Sequence, residues 1–175
     1  MLHADRINHS GFTLVELLVA LAVLAILTGL AAPSFIATVR DNRLVTQTNE
    51  FIGALHLARS EAVKRNQDVV VCKSSDGSTC NDSLSWADGW LVLADNGALV
   101  LRVGPALDGE NTIYASDGLE NSVTFSRRGM ASVEGGTWAF CDVRGDESAH
   151  AVTLKPSGRP KIAKTLHDGG SLECK

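Results

Sequence analysis

From Phe12 to Ala32 the chain carries 21 residues with a single charge, Glu16. As a helix rising 1.5 Å per residue this run would be about 31 Å long, close to the ~30 Å hydrocarbon thickness of a bilayer. Beyond it the apolar positions thin to one stripe. Phe35, Val39, Phe51, Leu55, Ala58 and Ala62 fall at steps compatible with one helical face, while Arg40, Asp41, Asn42, Arg43, Glu50, Arg59, Glu61, Lys64 and Arg65 fill the others. The spacing predicts a single helix that starts in the apolar run and ends near Asn66, just after the basic pair Lys64-Arg65. Pro33 interrupts it. Proline lacks an N–H and crowds the carbonyl four residues back, so Thr28-Gly29 is the expected weak turn, a kink or a melted stretch.

After Asn66 the period shortens. Val69-Val70-Val71-Cys72 reads as a strand, and Trp90–Leu93 and Ala98–Leu101 flank Asp95-Asn96-Gly97, a strong hairpin signal. Further strands are expected at Ser122–Phe125, Thr137–Cys141 and Ala151–Leu154, with glycine-rich turns between them. The fold class is therefore α+β: a long N-terminal helix, half apolar anchor and half amphipathic, packed on a C-terminal antiparallel β-sheet meander. Residues 12–32 are the transmembrane half, 33–66 the amphipathic continuation and 67–175 the β-rich head.

Two other readings of the apolar run exist. A cleaved secretory signal would have an apolar region of only ~7–15 residues before a small-x-small site, for which Gly29-Leu30-Ala31 could pass. A buried core helix would need apolar surroundings that the rest of the chain does not offer. The length of the run and the carboxylate inside it argue against both. A charge at mid-bilayer costs roughly 2.5–3.5 kcal/mol, so Glu16 needs a cation or a proton.

Gly11-Phe12-Thr13-Leu14-Val15-Glu16-Leu17 resembles the processing motif of type IV pilins and type II secretion pseudopilins. The resemblance implies that a prepilin peptidase cuts between Gly11 and Phe12 and methylates the new N-terminal Phe12. Residues 1–11 would then be a cytoplasmic leader peptide. It further implies that Glu16 meets the N-terminal amine of a neighbouring subunit, an assembly contact and not a catalytic base. Pro33 stands where family members commonly carry proline. Phe51-x-x-x-Leu55-x-x-Ala58-Arg59-Ser60-Glu61-Ala62-Val63-Lys64-Arg65-Asn66, then Val71-Cys72, Trp86-x-x-Gly89-Trp90 and Val152-x-Leu154-x-x-x-Gly158-Arg159, narrow the resemblance to the GspH/FimT/FimU group of minor pilins and pseudopilins. That group implies a protein held in the cell inner membrane by one span, with its head in the periplasm. It would be incorporated at or near the tip of a type IV pilus or a type II secretion pseudopilus. Its partners would be other pilins or pseudopilins, the prepilin peptidase and the inner-membrane assembly platform.

Charge adds a second reading. Residues 66–126 hold nine acidic and two basic side chains, whereas residues 151–175 hold five basic and two acidic. A basic tail on an acidic head can attract a polyanion. In some FimT-like proteins a Gly-Arg-x-Arg tail is implicated in DNA capture during natural transformation. Gly158-Arg159-Pro160-Lys161 is similar but ends in lysine, which keeps the charge and lacks the planar fork. Arg159, Lys161 and Lys164 are the candidate DNA-binding residues of this alternative.

Cys72, Cys80, Cys141 and Cys174 make an even set with no short ligand-type spacing, so disulfides are expected and no metal. Of the three connectivities, Cys72–Cys80 closes a small loop beside a strand and Cys141–Cys174 ties down a tail that otherwise frays; this pairing is favoured. No nucleophile–base set and no phosphate loop appears. His56, His150 and His167 lack a catalytic context, and Trp86, Trp90 and Trp138 read as core anchors. Neither enzyme activity nor a cofactor is expected.

Overall fold

The computed structural model describes residues 11–116 and 118–174. The leader expected over residues 1–11 lies, apart from Gly11, outside the described residues. The chain divides into two compact units between Val39 and Arg40.

One helix, α1, spans Leu14–Arg65. Its first part belongs to the N-terminal unit, where the most apolar 18-residue window has a mean hydropathy of 2.6 and no buried share. Length and composition suffice for a membrane crossing. Thr28, Gly29 and Pro33 are all helical in backbone, so the helical span runs on through the expected weak turn. At its far end α1 stops on Asn66, whose φ of 54° is left-handed. Gln67 N–H donates to Ala62 O at 3.2 Å and Asn66 N–H to Val63 O at 3.3 Å. This is a Schellman closure with asparagine in the position usually taken by glycine.

Among the described residues the second unit, from Arg40 onward, contains the rest of α1 and eight strands in two four-stranded antiparallel sheets. The first sheet is ordered β3-β2-β1-β5, with β1 Val69–Lys73, β2 Trp90–Ala94, β3 Leu99–Gly104 and β5 Ser122–Phe125. The second is ordered β4-β6-β7-β8, with β4 Thr112–Ala115, β6 Gly136–Cys141, β7 His150–Leu154 and β8 Pro160–Ala163. The head is thus not one meander. The link from β4 to β5 crosses between sheets, pinned by the fully buried Leu119, whose carbonyl accepts from Trp86 Nε1 at 2.8 Å. The hairpin expected at Asp95-Asn96-Gly97 joins β2 to β3, with φ near 53° at Asp95, 54° at Asn96 and 91° at Gly97.

Both sheets bury a face against α1. Leu44, Thr48, Phe51, Leu55, Ala58 and Ala62, at steps of four and three, are at most 1% exposed. Phe51 sits at the centre. Its ring makes edge contacts with Trp86, Trp90, Trp138 and Phe140 at centroid distances of 5.0 to 5.7 Å. Phe35 and Val39, which share the sequence stripe, remain exposed: both precede Arg40, where the head begins.

Candidate assembly site

Glu16 lies in the first turn of α1, one helical turn after Thr13. The Thr13 backbone N–H and its hydroxyl each donate to Glu16 Oε2 at 3.0 Å, and Glu16 N–H donates to Thr13 Oγ1 at 3.2 Å. This reciprocal pattern is a capping box. It satisfies two backbone donors that a helix start leaves without partners, and it places a negative charge at the positive end of the helix dipole. The carboxylate is therefore held by its own chain, aimed back toward Phe12. The Thr-x-x-Glu signal for this cap is legible in the sequence but is masked by the stronger reading of Glu16 as an intersubunit group. Phe12 is exposed, as are the apolar side chains from Leu14 to Leu27.

All four cysteines are paired, Cys72 with Cys80 and Cys141 with Cys174, at Cα separations of 5.6 and 5.8 Å. The favoured connectivity is the observed one, and no thiolate remains free to ligate a metal. Each bridge covers the outer face of a sheet. The Cys72–Cys80 loop lies by Leu91 and Leu93, and is fastened by the buried Lys73, whose Nζ donates to Asp82 O at 2.6 Å and Asn121 Oδ1 at 2.8 Å. The tail from Leu166 to Cys174 covers Ala139, Cys141 and Ala151, with His167 N–H donating to Thr137 Oγ1 at 2.9 Å.

The basic residues of the tail do not form one group. Arg159 and Lys164 flank β8 at opposite ends, about 16 Å of strand apart. Lys164 Nζ donates to Ala149 O at 3.0 Å, while Arg159 and Lys161 are exposed. Arg159 stands instead beside residues distant in sequence. Arg59 Nε donates to Gly129 O at 3.0 Å, and Gly158 packs on that carbonyl so closely that any side chain there would collide with it. Arg59, Arg127, Arg128 and Arg159 thus share the end of the head where α1 stops. At the other end Arg144 bridges Asp41 at 2.7 Å and Asp142 at 2.6 Å. The hydrogen bond to Asp142 raises the Arg144 pKa. Burial pushes Asp142 up, but hydrogen bonds from Arg144 outweigh it and hold the carboxyl below its usual range. Burial, aided by Lys164, lowers His150.

A family model described as the type II transport protein GspH matches residues 47–158, and one described as the prokaryotic N-terminal methylation motif matches residues 6–32. The chain belongs to the GspH family. This places it among the minor pilins and pseudopilins of type IV pili or type II secretion. Comparison with curated proteins finds no match. Among solved structures, the GspH-family chain resembles the type IV minor pilin FimU of Pseudomonas aeruginosa PAO1 in two crystal forms. In one it is 21% identical with a TM-score of 0.57, covering 70% of this chain and 89% of that one. In the other the figures are 20%, 0.56, 69% and 92%. At these identities the likeness speaks for the fold. A looser likeness, 14% identical with a TM-score of 0.49 over 69% of this chain and 96% of the other, is to the minor pseudopilin EpsH of the type 2 secretion system of Vibrio cholerae.

Proposed function

We propose that this GspH-family chain is a filament subunit that works by polymerising, at or near the tip of a type IV pilus or a type II secretion pseudopilus. In this reading a prepilin peptidase removes residues 1–11 and methylates Phe12, and residues 12–32 hold the subunit in the inner membrane. The head is periplasmic until an inner-membrane platform passes the subunit into the filament with other pilins or pseudopilins. The observation that carries the reading is Glu16 in the first turn of a long exposed apolar helix, four residues after Phe12. Processing gives Phe12 a free amine. A neighbour's amine offers the Glu16 carboxylate a full positive charge, a stronger hydrogen-bond partner than the Thr13 donors. Pro33 marks the stretch from Thr28 where the helix can melt on assembly, since proline donates no bond to Gly29.

The test is Glu16→Ala. The variant should be cleaved and inserted normally but be missing from the sheared filament fraction; incorporation at the wild-type level overturns the reading. A second reading, a pilus-associated DNA receptor for natural transformation, is favoured by the exposure of Arg159 and Lys161. Under it the head from Arg40 onward retards DNA in a salt-dependent way, and Arg159→Ala with Lys161→Ala abolishes the shift.

A further inference from the structure

Among the described strands, β3 and β5 stand at the edges of the first sheet, and β4 and β8 at those of the second. An edge leaves a row of backbone N–H and C=O groups open to another strand, and folded proteins generally cover or blunt it. The chain turns back over β5, where Ser132 N–H donates to Thr124 O at 2.9 Å and Ser126 N–H to Met130 O at 2.8 Å. β4 packs against the helical turn Trp86–Asp88. β8 opens on Pro160 and carries the exposed Lys161. β3 has no such cover. Among the described residues its backbone is hydrogen-bonded to β2 alone, and it holds neither proline nor lysine. Leu99, Val100 and Val103 on it are 36%, 40% and 50% exposed, an apolar edge left open.

The register of β3 gives its two faces different neighbours. Val100 and Val103 lie opposite Leu93 and Leu91 on the outer face of the sheet. Leu101 has no opposite residue and packs on the core, and this bulge turns Arg102 to the same side as Leu99, toward α1. A groove of about 880 Å³ runs there, lined by Gly53, Leu57, Ser60, Val63 and Lys64 of the helix and by Arg102. From Gly53 to Lys64 the helix rises about 16 Å, the span of about five residues of strand. The fixed charges on the groove, Arg59, Lys64 and Arg102, are all basic. Glu50 meets Arg102 at 3.6 Å and Glu61 meets Lys64 at 3.4 Å, while Arg59 Nε donates to the neutral Gly129 O. Gly53 is a separate sign of an occupant. Glycine inside a helix is costly relative to alanine, yet a Cβ on Gly53 would meet only Arg102, at an ordinary 3.7 Å. Packing within the head does not demand this glycine, whereas a backbone laid along the groove floor would.

We propose that β3 and this groove capture an extended acidic–apolar segment of a partner protein as an added strand of the first sheet. Main-chain bonds to the open edge would supply affinity, and alternate side chains would supply specificity. Apolar side chains of the segment lie on Val100 and Val103, and acidic ones turn into the basic groove, where Arg102 offers a fork for a carboxylate. A second β3 is the wrong occupant, since it would bring its own Arg102 into a groove that is already basic. The inference goes beyond the filament-subunit reading and does not depend on it.

The test uses the full-length chain in a non-ionic detergent and a fluorescent heptapeptide of alternating glutamate and valine, read by anisotropy and by backbone amide exchange. Expected is binding that slows exchange within Leu99–Gly104 and leaves β8 unchanged. Replacing every glutamate of the peptide by lysine should weaken binding about tenfold or more. N-methylation of alternate residues removes the amides of one peptide edge at a time. Of the two methylated versions, one should lose binding and the other keep it. Gly53→Leu should fill the groove and weaken binding about tenfold while the urea midpoint does not fall. No binding, slowed exchange at β5 or β8 in place of β3, or equal binding by both methylated versions overturns the proposal. So does slowed exchange in β3 that grows with protein concentration before any peptide is added, which assigns the edge to a second copy. Filament incorporation of the wild type and of Glu16→Ala, scored in parallel, tests the subunit reading by itself, so either can fail alone.

Discussion

At Thr13 a single hydroxyl both donates to the Glu16 carboxylate and accepts from the Glu16 backbone. Losing an N-cap hydroxyl typically costs about 1 kcal/mol. Thr13→Ser should therefore keep both the helix start and filament incorporation. Thr13→Ala should fray the first turn, seen as faster amide exchange at Leu14 to Glu16, and lower incorporation with Glu16 still in place. In the head the deciding residue is Phe51, edge-packed by four aromatic rings. Phe51→Ala should cost about 3–5 kcal/mol in denaturant melts. Trp138 is as buried, yet among the described residues its Nε1 has no hydrogen-bond partner, which burdens the native state. Trp138→Phe should consequently cost well under half of Phe51→Ala.

Among the elements, α1 and six of the strands were legible because their apolar periods are regular. The other two were not. β4, Thr112–Ala115, is short and lies in a stretch of mixed polarity, and β8 opens on Pro160, which argues against a strand except at a sheet edge, where β8 indeed lies. The division into two sheets was also hidden, because it depends on a buried link through Leu119 that local patterning does not specify. The disulfides were legible as loops of very different size, 8 and 33 residues. Chain-entropy estimates then give roughly 2.5 and 3.7 kcal/mol respectively. Removing the Cys141–Cys174 pair by double serine substitution should lower the melting midpoint more than removing Cys72–Cys80. It should also open the outer face of the second sheet to proteolysis from Leu166 onward.

For the molecule as a whole, Asp142 and His150 contribute to the acid limb of stability, beside Asp76 and Glu61, whose carboxyls hydrogen bonds from Thr79 and Arg65 also hold below their usual range. The folded pKa of Asp142 is depressed, so its contribution is present above the unfolded value of about 3.9 and is lost as pH falls below it. His150 is also depressed, and its contribution disappears as pH falls through about 6.5, because the unfolded chain then takes up the proton more readily. Head stability should decline in two stages on acidification. Asp142→Asn should reduce the lower stage, which it shares with Asp76 and Glu61, and His150→Gln should flatten the upper, both read from urea midpoints across pH. The assembly motif could be read from the sequence because its residues are contiguous. The arginine surface could not, since Arg59, Arg127, Arg128 and Arg159 are brought together only by the packing of Gly129 on Gly158.

The placement of the second disulfide has a consequence in time. Cys72 and Cys80 emerge eight residues apart and can close at once. Cys141 must wait for β7, β8 and the whole covering tail before its partner exists, 33 residues later. With the first pair already sealed, the waiting thiol has no wrong partner within its own chain. Closure in the order of synthesis would then favour the native connectivity, and a head arrested before Cys174 should carry one thiol, at Cys141, open to alkylation.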